Sequence, residues 1–265
     1  MARSPRQLAF EFRTWGGVRA RAGRPPNGQR AGVSHLRRPA HSPHHPLHVT
    51  LRVRRGLSSL REHSVFVAVR RALAEAKQRF GFSLVHFSVQ RDHLHLIAEA
   101  KDRTALSRGV QGLSIRVARA VNRQLQRKGR LFADRYHARA LKTPREVRFA
   151  LRYVLLNARK HARNRQASAS ALDRLSATGA DGIALGFVDS CSSAPWFGGF
   201  SRPDELAFGA RQARAEWLRS SGSPEPPVVP PGCWLLRAGQ QRAGPMDVDD
   251  APRGAVAGAP SRTRS

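Results

Sequence analysis

Hydrophobic and polar residues alternate cleanly in the segment Leu47–Val53. Leu47, Val49, Leu51 and Val53 fall on one side and His48, Thr50 and Arg52 on the other, the period-two signature of a half-buried strand. From Ser64 to Phe80 the period lengthens. Phe66, Val69, Leu73, Ala76 and Phe80 recur at helical spacing, and Gly81 offers a stop. Ser83–Gln90 reads as a second strand with Val85, Phe87 and Val89 on one face, and after Arg91 and Asp92 the stretch His93–Glu99 reads as a third. A long helix is expected from about Thr104 to Lys128, its stripe made by Leu106, Val110, Leu113, Val117, Val121 and Leu125, with Gly129 behind it. Residues 130–141 alternate enough for a fourth, irregular strand. The last helix, 144–161, has the clearest start: Thr143 as cap, Pro144 in the first turn and Glu146 completing a capping box. Val147, Ala150, Leu151, Val154 and Ala158 form its docking stripe.

The order β-α-β-β-α-β-α predicts an α+β fold. Its first six elements match the ferredoxin-like split βαβ arrangement, an antiparallel sheet with helices on one face. The seventh, the C-terminal helix, is then placed to reach across to the sheet. Around this domain, residues 47–161, the composition changes. Residues 1–46 form a basic arm rich in Pro and Gly and without a sustained period, expected to be disordered. Residues 162–265 read as a low-complexity, mostly disordered tail, with a candidate aromatic cluster at "SSAPWFGGF".

Charge narrows the partners. The chain carries a formal net charge of +29, a field that favours a polyanion, DNA or RNA first of all. Residues 1–161 hold 35 Lys and Arg against 8 Asp and Glu, together with every histidine, so the chemistry is expected there. Cys191 and Cys233 are too few for a disulfide scaffold or a thiolate zinc site, which suits a reducing, cytoplasmic setting. No apolar run is long enough to cross a bilayer, so no membrane partner is expected.

Two pairs of residues stand out as candidate chemistry. His93 and His95 are two apart in a strand and therefore face the same way, a spacing at which two imidazoles can chelate one divalent cation. Tyr153 and Asn157 are four apart in a helix and share a face. Taken singly, each pair has an ordinary explanation, partly exposed histidines on a polar sheet face and a tyrosine packing at a helix rim. Arg108, Arg116, Arg119, Arg123 and Arg127 recur along the long helix, and Arg130, Arg135 and Arg139 follow it, candidates for tracking a phosphate backbone.

Together, "HVTLRV", "DHLHLI", "GRLFADRYHARAL" and "YVLLN", in this order over roughly residues 45–161, resemble the single-tyrosine HUH transposases, most of all the bacterial REP-associated tyrosine transposases. The resemblance implies His93, His95 and Asn157 as ligands of Mg²⁺ or Mn²⁺ and Tyr153 as nucleophile. It also implies a 5′-phosphotyrosine intermediate, a single-stranded or hairpin DNA substrate, action at the bacterial nucleoid, and either a homodimer or a monomer. Many relatives continue the last motif as Asn-Pro, whereas here Asn157 is followed by Ala158. The main alternative is a catalytically silent, basic nucleic-acid-binding protein. A tyrosine-dependent nickase is a third reading. A water-using metallohydrolase is disfavoured, because no carboxylate cluster accompanies the histidines.

Overall fold

The structure is a computed structural model and describes residues 39–168 and 188–247. The strands are β1 (Leu47–Arg52), β2 (Gln78–Arg79), β3 (Phe82–Val89), β4 (His93–Ala100) and β5 (His137–Ala140). The helices are α1 (His63–Glu75), α2 (Arg103–Gln124), α3 (Pro144–Ser168), α4 (Pro203–Ser221) and the single turn α5 (Trp234–Arg237). The sheet order is β2-β3-β4-β1-β5, and every neighbouring pair is antiparallel. Because β4 lies between β1 and β3, the βαβ unit is split, as the element order predicts.

The sheet is covered on both faces. On one, Leu47, Val49, Leu51, Phe87, Val89, Leu94 and Leu96 pack against Val65, Val69 and Leu73 of α1 and Val110, Leu113 and Val117 of α2. The approach is close: a Cβ on Gly109 of α2 would come within 2.2 Å of the Phe82 ring. The other face belongs to α3, whose Val147, Leu151, Val154 and Leu155 meet Val85 and Ile97. The capping box is formed, with Thr143 Oγ1 accepting the Glu146 N–H (3.2 Å) and Glu146 Oε2 accepting the Thr143 N–H (3.2 Å).

Three elements differ from the sequence expectation. Helix α1 ends at Glu75 rather than Phe80, because Gln78 and Arg79 turn back to pair with Ser83 and Phe82. Phe80 (φ 53°) and Gly81 (φ 75°) make the tight turn, a two-residue loop with both residues left-handed, suited to a twisted hairpin. Phe80 therefore points into water, 73% exposed. In β3 the register shifts between Leu84 and His86. The extra residue turns Val85 to the α3 side while Phe87 and Val89 stay on the other, so the three do not share a face. Helix α2 stops at Gln124, a turn short of Lys128, with Gln126 left-handed (φ 48°) beyond it.

The largest departure is at residues 188–247, expected to be mostly disordered but folded against the domain. Asp189 is bound two-fold by the Arg61 guanidinium at 2.8 and 3.1 Å. Glu99 of β4 accepts the N–H groups of Gly232 (3.0 Å) and Cys233 (2.8 Å), and Arg148 of α3 donates to the carbonyls of Gly244 and Pro245. Arg70 lies between the rings of Phe66 and Trp217 and bonds Glu216 at 3.2 Å. The "SSAPWFGGF" cluster is real: Phe197 stacks edge-on against Phe200 and His86. A composition rich in Ser, Gly and Pro hides this because the segment is held by long-range polar anchors and by scattered apolar residues, such as Phe200, Leu206, Leu236 and Met246, that join the α3 core from far along the chain. Residues 1–38, and with them most of the expected basic arm, lie outside the described residues, as do 169–187 and 248–265. Among the described residues no helix is long and apolar enough to cross a membrane.

Two outcomes follow for stability. Arg61→Ala leaves the buried Asp189 carboxylate without its guanidinium and is expected to cost about 3 kcal/mol in urea unfolding. Burial pushes the His86 pKa down to about 4, whereas an unfolded imidazole titrates near pH 6.5. The unfolded chain then binds the extra proton, so His86 withdraws stability as pH falls from about 6.5 towards 4. Urea midpoints should drop across that window and drop less steeply in His86→Gln.

Candidate active site

Cross-strand partners in an antiparallel pair share a face. Thr50 stands opposite His95, Arg52 opposite His93, and on the other edge of β1 Thr50 is opposite His137 and His48 opposite Arg139. The even positions of β1 and odd positions of β4 thus form one polar strip beneath α3. In it the Nε2 atoms of His93 and His95 approach to 2.9 Å, with the rings at 83°. Their Nδ1 atoms turn outward. His93 Nδ1 meets Asp92 Oδ1 at 2.7 Å, and His95 Nδ1 meets Thr50 Oγ1 and His48 Nε2, each at 3.2 Å.

The protonation states follow from these neighbours. The hydrogen bond to His93 holds the Asp92 carboxyl below its ordinary range, helped by the charge of Arg52, so Asp92 accepts the His93 Nδ1–H. Burial, reinforced by His137 and Arg139, lowers the His48 pKa to about 4. His48 is therefore neutral near pH 7, with Nε2 in hydrogen-bond contact with His95 Nδ1. The 2.9 Å approach of the two Nε2 atoms is a hydrogen bond from one ring to the other, and both nitrogens would offer lone pairs only as ligands of a cation, the tautomer that metal-binding imidazoles adopt when a carboxylate or hydroxyl holds the other nitrogen. Two lone pairs this close repel unless a cation or proton lies between them. The two Nε2 atoms would be the nitrogen donors to a divalent cation there.

Among the described residues no group of three His, Cys, Asp or Glu side chains converges to hold a metal. The donor set is therefore an open imidazole pair that fits a divalent cation completed by oxygen ligands. Asn157 occupies the helical position one turn after Tyr153, while its side chain lies outside the described residues. Tyr153 comes from the other wall of the site. Its ring meets that of His95 edge-on at 4.9 Å and that of His48 at 5.8 Å, and partial burial raises its pKa above the ordinary 10. As a neutral phenol it is a weak nucleophile, and nearby positive charge is what would activate it.

The arginines divide between the two sides of the domain. Arg108, Arg116, Arg119 and Arg123 belong to α2, which packs on the sheet face opposite the histidines, so they do not join the site. Arg127 and Arg130 lie behind α2, where Arg127 bonds Asn122 and the Arg130 carbonyl. Arg135 is exposed in the connection to β5. Only Arg139 stands on the site face, ion-paired with Glu146. Tyr136 is buried in the core of the α1–α2 side. Sequence reasoning missed His48, Thr50, Arg52 and His137. The first three are the polar half of the β1 alternation, and pairing β1 with β4 would have found them.

Three comparisons with known proteins can be set beside this geometry. The model of a family described as "Transposase IS200 like" matches residues 43–155, a span that includes β1 to β5 and Tyr153. A solved structure described as a REP-associated tyrosine transposase bound to a REP hairpin is similar at 18% identity and a TM-score of 0.41, over 49% of this chain and 74% of that one. No curated protein matches the chain.

The tautomers are open to measurement. In ¹⁵N spectra of the histidine rings His48 should remain neutral from pH 7.5 down to about 5 and titrate near 4. With saturating Mg²⁺, His93 and His95 should both carry their protons on Nδ1. A His48 ring titrating near 6.5 would contradict the assigned bonding.

Proposed function

We propose, from the match of residues 43–155 to the IS200-like transposase family, that the chain is a metal-dependent transposase that cuts and rejoins single-stranded DNA through Tyr153. The observation that carries this reading is the meeting of three rings: the converging Nε2 atoms of His93 and His95, 2.9 Å apart, with Tyr153 packed edge-on against His95. A polar strip shared by two strands and closed by a tyrosine-bearing helix suits attack on a phosphodiester.

Tyr153 Oη would form the bond to phosphorus while the bond from phosphorus to the 3′ oxygen breaks. The tyrosine stays linked to the 5′ phosphate, and the proton lost by the phenol is balanced by the one gained on the released 3′-hydroxyl. In the reverse direction a 3′-hydroxyl of a second strand end attacks the same phosphorus and frees the tyrosine. The bond energy is kept in the ester throughout, so joining needs no nucleotide cofactor. His93 and His95, with Asn157 as third ligand, would hold Mg²⁺ or Mn²⁺. When bound, such an ion neutralises charge developing on the phosphate oxygens. Asp92 and Thr50 keep the two imidazoles in the ligand tautomer. That Tyr153 sits beside His95 of its own chain supports a site completed within one protomer. Single-stranded or hairpin DNA is the substrate class that suits the basic chain, and a REP-associated transposase is the family member it would most resemble.

A labelled hairpin oligonucleotide with unpaired flanks, incubated with the full chain and Mn²⁺, should give a covalent adduct that survives denaturation. Tyr153→Phe should lose the adduct and keep DNA binding. An adduct persisting in that variant removes Tyr153 as nucleophile, and no wild-type adduct across a hairpin library favours the silent DNA-binding protein instead. Calorimetry gives a separate check: His93→Ala with His95→Ala should abolish Mn²⁺ binding, and Asp92→Asn or Thr50→Val should weaken it about tenfold or more.

A further inference from the structure

Helix α3 buries Val147, Ala150, Leu151, Val154, Leu155 and Leu156, yet it leaves one large apolar side chain in water. Phe149 is 52% exposed. A lone exposed phenylalanine is unremarkable on most surfaces, and Phe80 and Phe208 are exposed elsewhere on this one. Phe149 differs in its position and in its neighbour. It precedes Tyr153 by four residues, which on a helix is about 6 Å along the axis and about 40° around it. Tyr153 faces inward to His95, so Phe149 lies one turn back and further out, on the solvent side of α3.

Its neighbour is Arg145, one turn earlier again, whose guanidinium lies over the Phe149 ring at 5.5 Å from the centroid. A cation stacked on an aromatic ring is the arrangement that also receives nucleobases, because every base offers a π-face and a following phosphate meets the positive charge. Exposed Arg52 and His137 stand across the polar strip on β1 and β5, so the approach to Tyr153 is basic on the sheet side as well. Nothing else on the described surface combines an exposed aromatic ring, a stacked arginine and a place one turn from Tyr153.

We propose that Phe149, with Arg145 stacked on it, is a platform for an unpaired base within two nucleotides of the phosphate attacked by Tyr153. The inference rests on the transposase reading and deepens it by naming a substrate-positioning contact. A base held there is drawn out of any stack with its neighbours, so the platform selects strands that are single-stranded at the cleavage point. Phe149 belongs to neither buried core cluster, and its replacement is expected to leave the fold in place.

The test is an abasic scan of the hairpin oligonucleotide that yields the adduct, with Kd and adduct rate measured for the wild type, Phe149→Ala and Phe149→Trp. In the wild type one abasic position within two nucleotides of the cleaved phosphate should weaken binding about 5- to 100-fold. Phe149→Ala should lose the same factor on the intact strand and become indifferent to that abasic position. Phe149→Trp should restore both affinity and sensitivity. If Phe149→Ala binds and cuts intact and abasic strands as the wild type does, the platform is wrong while the Tyr153 adduct leaves the transposase reading standing. If the wild type forms no adduct at all, the transposase reading falls and the platform falls with it.

Discussion

Thr50 stands directly across the ladder from His95, and the polar face of the sheet owes its content to that register. A slip of one residue between β1 and β4 would exchange every side chain between faces. His48, Thr50 and Arg52 would enter the α1–α2 core, and Val49 and Leu51 would replace them beneath α3. The apolar half of β1 prevents this. Val49 is fully buried and Leu47, Leu51 and Val53 nearly so, at about 25 cal/mol for each Å² of apolar surface removed from water. The hydrophobic set that fixes the register is therefore also what delivers the hydroxyl and the imidazole that hold His95.

Covering this polar strip with a helix has an electrostatic consequence. Imidazoles placed under α3 and the folded C-terminal segment lose their solvation and become neutral at ordinary pH, as the depressed values of His48 and His86 show. A neutral imidazole can accept a hydrogen bond or hold a cation, which an imidazolium cannot. The same burial raises the Tyr153 pKa. Burial thus favours the neutral imidazole of His48 and the neutral phenol of Tyr153 alike.

Much of this was legible in the residues. The alternation of β1, the capping box at Thr143 and Glu146, and the pairing of His93 with His95 on one side all depend on local periodicity and local hydrogen bonds, which a sequence displays directly. What local rules miss is competition. The helical spacing of α1 runs on to Phe80, but the hairpin formed by Gln78 and Arg79 with β3 ends the helix five residues earlier. The alternation in β3 breaks at Val85, because a bulge changes which side is which. His48 was visible as a polar strand residue, and its part in the site was not, since only the β1–β4 register brings it to His95. The arginines of α2 were visible as a basic stripe without any sign of which sheet face the helix would take.

The anchors of the C-terminal segment join elements far apart in the chain. Glu99, which holds Gly232 and Cys233, is on the strand of the two histidines, and Arg148, which holds the 244–245 carbonyls, is on the helix of Tyr153. Residues 232–245 are thus a splint across the two walls whose separation sets the distance from ring to ring. Contacts between residues this far apart in sequence carry a loop-closure cost that slows folding. During synthesis His93, His95 and Tyr153 emerge well before the segment that braces them. The histidine strand and the tyrosine helix are thus held together both by their own apolar packing and by a segment made long after them.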